Sequence, residues 1–213
     1  MYGWMRVEQI IKWTGSFYPT WDEAYARQLL QQFDLPAKGK IKTLSKGQNT
    51  KLALLLALAQ RPKIVILDDP TLGLDPIARK EFLRSVITLL QSEGTTVFFS
   101  SHLLYEIEPV ADRVAILDGG RIVKAAATDE LRETIRRFIF RPKAGARLEG
   151  ITSVLDAVQR DGQWSVTVEA TNGQARAALT AVAEDQVQEM GLNLDEIFEA
   201  YVIGNRGREV APC

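Results

Sequence analysis

Cysteine, histidine and long apolar runs are scarce in this chain, and the scarcities exclude several classes of protein. The one cysteine among 213 residues is the last residue, Cys213, so an internal disulfide and a cysteine-built zinc cluster are both excluded. A reducing compartment is the simplest setting for such a chain. The longest apolar runs, Leu52 to Ala59 and Ile64 to Leu67, fall well short of the roughly 20 residues that span a bilayer, and the start carries no basic segment followed by a long apolar one. Work at a membrane would therefore need a partner to hold the protein there. Charge of one sign is also lacking: 26 Lys and Arg stand against 27 Asp and Glu, which gives no reason to expect a nucleic-acid partner. Internal repeats and low-complexity tracts are absent.

The rest is ordinary: 46% hydrophobic and 25% charged residues suit one globular domain with a smaller attachment. Residues 1–62 read as helical pieces. Thr20 followed by Glu23 predicts a capping box, and Trp21, Tyr25, Leu29 and Phe33 keep one apolar face up to Pro36. A basic loop, Lys38 to Lys42, precedes a second capping box, Ser45 with Gln48, which opens a leucine-rich helix to about Gln60. Residues 63–140 change period. Ile64-Val65-Ile66-Leu67, closed by Asp68-Asp69-Pro70, reads as a buried parallel strand. A turn at Gly73 leads to Asp75-Pro76, cap and first residue of a helix facing inward through Phe82, Leu83, Val86, Ile87 and Leu90. Gly94 stops it, and Thr96 to Phe99 is the next strand. This strand-helix-strand unit implies an α/β fold with a parallel sheet. A short helix from Ser101 follows, then a hairpin turning at Asp118-Gly119-Gly120, then a helix capped by Thr128 and running to about Phe138. Residues 141–213, after the break at Arg141 to Gly145, predict a small α/β extension. It has a strand through Trp164, Val166 and Val168, a helix near Gln174 to Ala183, and a last helix capped by Asn193 with Glu196.

Asp68-Asp69 stands out as chemistry. Ligands gather at the carboxyl ends of parallel strands, and two adjacent carboxylates there are costly unless a metal or proton compensates them. One can face Mg²⁺ while the other orients water. The plainer alternative is a pair that caps the following turn.

Leu44-Ser45-Lys46-Gly47-Gln48 resembles the signature peptide of the ABC ATPases. Ile64 to Asp69 resembles their Walker B strand, Gly73-Leu74-Asp75 their D-loop, and Ser100-Ser101-His102 the segment of their switch histidine, all in the family's order and spacing. Met1 to Asp22 resembles the helical-subdomain segment of bacterial exporter types. The resemblance implies a P-loop NTPase core and assigns roles to single residues. Asp68 would help hold Mg²⁺, Asp69 would polarise the attacking water, and His102, the only histidine, would orient the γ-phosphate and that water. Ser45, Lys46, Gly47 and Gln48 would meet ATP held by a second subunit, as a helix N-terminus suits an anion, and Asp75 would lie nearby in the D-loop. Ser45 would cap its own helix in either case. Lys46 replaces the usual glycine and adds positive charge. Asp69 replaces the usual glutamate and is one methylene shorter.

That family also carries a Gly-x-x-x-x-Gly-Lys-Ser/Thr loop whose amides and lysine wrap the phosphates. No segment here supplies it; Gly39-Lys40-Ile41-Lys42-Thr43 lacks the first glycine, the hydroxyl residue after the lysine, and a preceding strand. The expectation is therefore a form truncated before the helical subdomain, with Met1 not the true start and Ile64, Ile66, Val97 and Phe99 incompletely covered. Trp4, Trp13, Tyr18 and Trp21 are expected to pack within the helical segment and not to stack on a base. The implied function is an ATP-binding and ATP-hydrolysing subunit, with ATP and Mg²⁺ as cofactors, energising a membrane exporter through permease subunits. It would pair with a second ATP-binding subunit, as homodimer or heterodimer, in the cytoplasm against the inner face of the membrane. The alternatives are a degenerate partner that lends its signature peptide without hydrolysing ATP, and a soluble ATPase acting on ribosomes or DNA.

Overall fold

The computed structural model describes residues 2–72, 74–92, 94–148, 151, 153–169 and 174–209. The expected turn at Gly73 lies outside these. The chain divides after His102 into two units, and each is built on a different kind of sheet.

In the first unit, helix α1 (Val7–Gly15) buries Val7, Ile10 and Ile11, the i, i+3, i+4 stripe of an amphipathic helix. Helix α2 (Glu23–Gln32) is capped by Asp22, whose side chain accepts from the Tyr25 amide at 2.8 Å. Thr20 is therefore not the cap. It lies two residues before the cap, and Glu23 is engaged elsewhere, accepting from the Trp21 indole N–H at 3.2 Å. Asp22 also ties α2 to the end of the next helix, through Arg61 at 3.1 Å. The Arg61 guanidinium in turn sits 3.5 Å from the centroid of the Tyr25 ring, a cation–π contact. The Tyr25 amide, and then Arg61, hold the Asp22 carboxyl below its ordinary range.

Helix α3 (Lys46–Leu58) has the predicted capping box. It joins α1 and α2 in one apolar cluster through Leu52, Leu54, Leu55 and Leu58. Trp21 packs against that cluster, but Trp4 and Trp13 do not go inside. They are 71% and 44% exposed and form a surface chain of rings, Trp4–Tyr2–Trp13–Phe17, with centroids 4.8 to 6.2 Å apart. Tyr18 is exposed as well. Trp13 falls outside the stripe of Val7, Ile10 and Ile11, so the helical period that buries those three leaves it on the surface, where Tyr2, Trp4 and Phe17 from the segments flanking α1 gather with it.

Strand β1 (Ile64–Asp68), helix α4 (Pro76–Ser92) and strand β2 (Thr96–Ser100) form the predicted parallel unit, in register from Ile64 opposite Thr96 to Asp68 opposite Ser100. Helix α4 buries Phe82, Leu83, Val86, Ile87 and Leu90, and its cluster includes Val65, Leu67 and Val97. The opposite sheet face is open, with Ile64, Ile66 and Phe98 at 64%, 74% and 64% exposure. Parallel in-register pairing puts Phe98 beside Ile66. The bare face thus holds Phe98, while Val97 and Phe99 share the covered side with Val65 and Leu67.

The second unit starts with a short helix, α5 (Leu104–Ile107), followed by a hairpin of β3 (Arg113–Asp118) and β4 (Arg121–Ala127). Gly119 and Gly120 turn it with φ of 55° and 78°, the paired left-handed conformation of the tightest hairpins. Helix α6 (Thr128–Thr134) is shorter than expected and gives way to strand β5 (Ile135–Phe140). Ile135, Phe138 and Phe140 are buried there, because β-branched and aromatic residues favour the pleated surface. Thr128 is the first helical residue; Ala127 holds the cap position and the Thr128 hydroxyl donates to the Ala111 carbonyl. Strands β6 (Val154–Arg160), β7 (Gln163–Glu169) and β8 (Gln188–Gly191) complete an antiparallel sheet of order β6-β7-β5-β8. It is accompanied by helices α7 (Gln174–Val182) and α8 (Leu194–Glu209). Asn193 and Glu196 cap α8 reciprocally, at 2.9 and 3.1 Å.

Helix α8 meets β6 closely. A Cβ on Gly204 would stand 1.7 Å from the Leu155 carbonyl oxygen, so Gly204→Ala should lower stability by about 1–3 kcal/mol, read as a fall in the melting midpoint. Glu169 joins the Lys124 ammonium and the Tyr201 hydroxyl, the latter at 2.9 Å. Burial pushes the Glu169 carboxyl up, yet the hydrogen bonds from Lys124 and Tyr201 prevail and leave it below its ordinary 4.5. A depressed carboxyl pKa contributes stability above the unfolded-state value and loses it as pH falls through the folded one. Acid unfolding of Glu169→Gln should accordingly show a shallower loss of stability below pH 4.5 than the parent; equal slopes would contradict the assignment.

Candidate functional site

The carboxyl ends of β1 and β2 assemble four polar side chains. In-register pairing sets Asp68 beside Ser100, and the Ser100 hydroxyl donates to Asp68 Oδ1 at 2.6 Å. The Ser100 hydroxyl oxygen in turn accepts from the Asp69 backbone amide at 2.9 Å. Asp69 leaves the strand with φ of +41°, the left-handed region that aspartate enters more readily than most residues. Its carbonyl accepts from the Leu72 amide at 3.0 Å, which closes the turn. This geometry aims the Asp69 side chain at His102, whose Nδ1 lies 3.1 Å from Oδ2. The His102 side chain is 64% exposed and that of Asp69 only 23%. The other Asp69 oxygen, Oδ1, is buried without a hydrogen-bond partner, a costly state for a carboxylate oxygen.

The signature-like residues form a second group. Ser45 caps α3, its hydroxyl accepting from the Gln48 amide at 3.1 Å while Gln48 Oε1 accepts from the Ser45 amide at 3.0 Å. Ser45 and Lys46 are exposed at the helix start, and Gly47 is half-buried. A Cβ on Gly47 would meet Leu74 at 3.1 Å, so the glycine lets the D-loop-like segment approach the signature-like turn. Asp75 caps α4, with Oδ1 accepting from the Ile77 amide at 3.1 Å. The structure thus brings Asp68, Asp69 and His102 together at the strand ends, and joins Ser45 to Gln48 at the start of α3 with Gly47 beside Leu74.

Among the described residues no group of three His, Cys, Asp or Glu side chains forms a metal cage. Mg²⁺ at a nucleotide site takes only one or two carboxylates, with waters and phosphate oxygens filling the octahedron. Asp68 at an exposed strand end, with the unpartnered Asp69 Oδ1 next to it, fits that modest demand. Ser100 is the participant that motif reading passed over. Its signal lay in the two apolar runs: strands of five residues, paired in parallel from their first residues, must end side by side.

The family model that matches is "AAA domain, putative AbiEii toxin, Type IV TA system", over residues 26–108. A daunorubicin resistance ATP-binding protein, DrrA3 of Streptomyces coeruleorubidus, is 33% identical over 82% of this chain and 60% of its own. The ABC transporter ATP-binding protein YtrB of Bacillus subtilis is 25% identical over 93% of this chain and 68% of its own. The chain is homologous to the ATP-binding proteins of ABC transporters. A solved ATP-binding subunit of an ABC transporter aligns at a TM-score of 0.54 and 27% identity, covering 62% of this chain and 57% of that one. The fold is an α/β P-loop NTPase fold that resembles ABC-ATPase domains, with helices and no canonical Walker A loop ahead of the first strand. The chain spans 57–68% of the length of those three proteins. Replacing Ser45 by Ala removes the capping hydroxyl of α3 and should cost about 1 kcal/mol, measured by chemical denaturation; an unchanged midpoint would show that the cap contributes nothing.

Proposed function

We propose that this protein serves as an ATP-binding subunit that energises a membrane exporter, supplying the residues that act on the γ-phosphate side of the nucleotide. The observation that carries this reading is the buried, unpartnered Asp69 Oδ1 next to Asp68, with Oδ2 held by His102 at 3.1 Å. An orphaned carboxylate oxygen is costly until it gains a donor, and with its other oxygen fixed by His102 the Asp69 carboxylate is placed to take a hydrogen bond from an attacking water once the site opens to it. His102 orients that carboxylate and, exposed on its other side, reaches phosphate. Asp68 would hold Mg²⁺, which when bound draws charge from the phosphate oxygens. Ser45, Lys46, Gly47 and Gln48 present a helix N-terminus and a cation to the ATP of a second subunit, with Asp75 in the segment beside them.

Among the described residues no helix is long and apolar enough to cross a membrane. Permease subunits are therefore the proposed anchor at the inner face of the membrane, and a second ATP-binding subunit, identical or not, the proposed closing partner. DrrA3 is a drug-resistance ATP-binding protein by name, which supports export as the direction. The second reading, a partner that lends Ser45 and Gly47 without hydrolysing ATP, rests on the sequence: no Gly-x-x-x-x-Gly-Lys-Ser/Thr segment occurs, and Asp69 stands where the family has glutamate.

ATP turnover of the protein purified with its partner subunits separates the two. Misplacement of a catalytic group by about 1 Å costs on the order of 100-fold, so Asp69→Glu should raise turnover severalfold or more and His102→Ala should lower it. Turnover that ignores both substitutions would favour the non-hydrolysing role.

A further inference from the structure

We propose that Ser100 is a positioning residue for this site, a single hydroxyl that sets both the Asp68 carboxylate and the backbone from which Asp69 projects. A serine hydroxyl has one proton to donate and lone pairs to accept. Here the proton goes to Asp68 Oδ1 at 2.6 Å, and a lone pair takes the Asp69 amide at 2.9 Å. Hydrogen bonds to an ionised acceptor are the short, strong kind, so the Asp68 carboxylate is held in one rotamer with its second oxygen left for a ligand. The second bond fixes the Asp69 amide at the point where the chain enters its left-handed turn, φ +41°. Rotation there would swing the Asp69 carboxylate away from His102. Parallel pairing of Asp68 with Ser100 makes the arrangement reproducible, since register alone brings the hydroxyl to the carboxylate. Alanine removes both bonds, cysteine keeps the size but donates weakly, and threonine keeps the hydroxyl on a residue at home in a strand.

The inference rests on the reading of Asp68 and Asp69 as the metal and water groups, and its test has two arms. In the assembled ATPase, Ser100→Ala and Ser100→Cys should lower turnover by roughly tenfold to 100-fold. Both should also raise the Mg²⁺ concentration needed for half-maximal rate while leaving KM for ATP within about twofold of the parent, with Ser100→Thr restoring most of both losses. Equal impairment of all three variants, or an unchanged Mg²⁺ dependence in Ala and Cys, would overturn the proposal. If the parent shows no turnover, the hydrolytic reading fails and hydrogen exchange decides the positioning role. The Asp69 amide should exchange at least tenfold faster in Ser100→Ala and Ser100→Cys than in the parent and in Ser100→Thr, and equal protection in all four proteins would overturn it.

Discussion

The in-register pairing of β1 with β2 is the constraint on which the rest depends. Both strands end on a polar residue, Asp68 and Ser100. Their alignment turns two separate chain segments into one cluster at the carboxyl edge, where parallel sheets collect their ligands. A slip of one residue would put Asp68 opposite a phenylalanine or a second serine and turn its partner's side chain to the other face. The apolar stretches hold that register. Val65 and Val97 face α4 in one cluster, and burying that face specifies the pairing that places the hydroxyl on the carboxylate.

The same pairing exposes an unusual surface. Ile64, Ile66 and Phe98 lie together on the uncovered face, whereas parallel strands are ordinarily buried on both sides. The chemistry matches this one-sidedness. Polar groups converge at Asp68, Asp69 and His102, and Ser45 caps the start of α3, while the sequence has no Gly-x-x-x-x-Gly-Lys-Ser/Thr segment.

The strand-helix-strand unit was legible in the sequence because two strong local signals agree there: a continuous apolar run closed by charge, and a 3.6-residue period opened by Asp75-Pro76. The capping boxes at Ser45 and Asn193 were legible for the same reason. Thr20 misled because Asp22, two residues on, is an equally good cap and also gains Arg61, a contact 39 residues away that local reading cannot see. The extent of α6 misled because Ile135 to Phe140 fits either period, and only its pairing with β7 and β8 decides for strand. In the site, residue types announced Asp68, Asp69 and His102. Ser100, the left-handed turn at Asp69 and the orphaned Oδ1 came only from register and backbone geometry. A serine in a run of two serines has no distinctive signature until its neighbour across the sheet is known.

The central claim is that these residues form one part of a nucleotide site that a second subunit completes. The most direct measurement is sedimentation velocity of the protein mixed with an ATP-binding subunit that carries its own phosphate loop, with and without ATP and Mg²⁺. The account predicts a dimer that forms only with nucleotide and that Ser45→Arg weakens by about tenfold or more, through loss of hydrogen bonds to a charged phosphate. Association of equal strength without nucleotide, or one indifferent to Ser45→Arg in a folded protein, would contradict it.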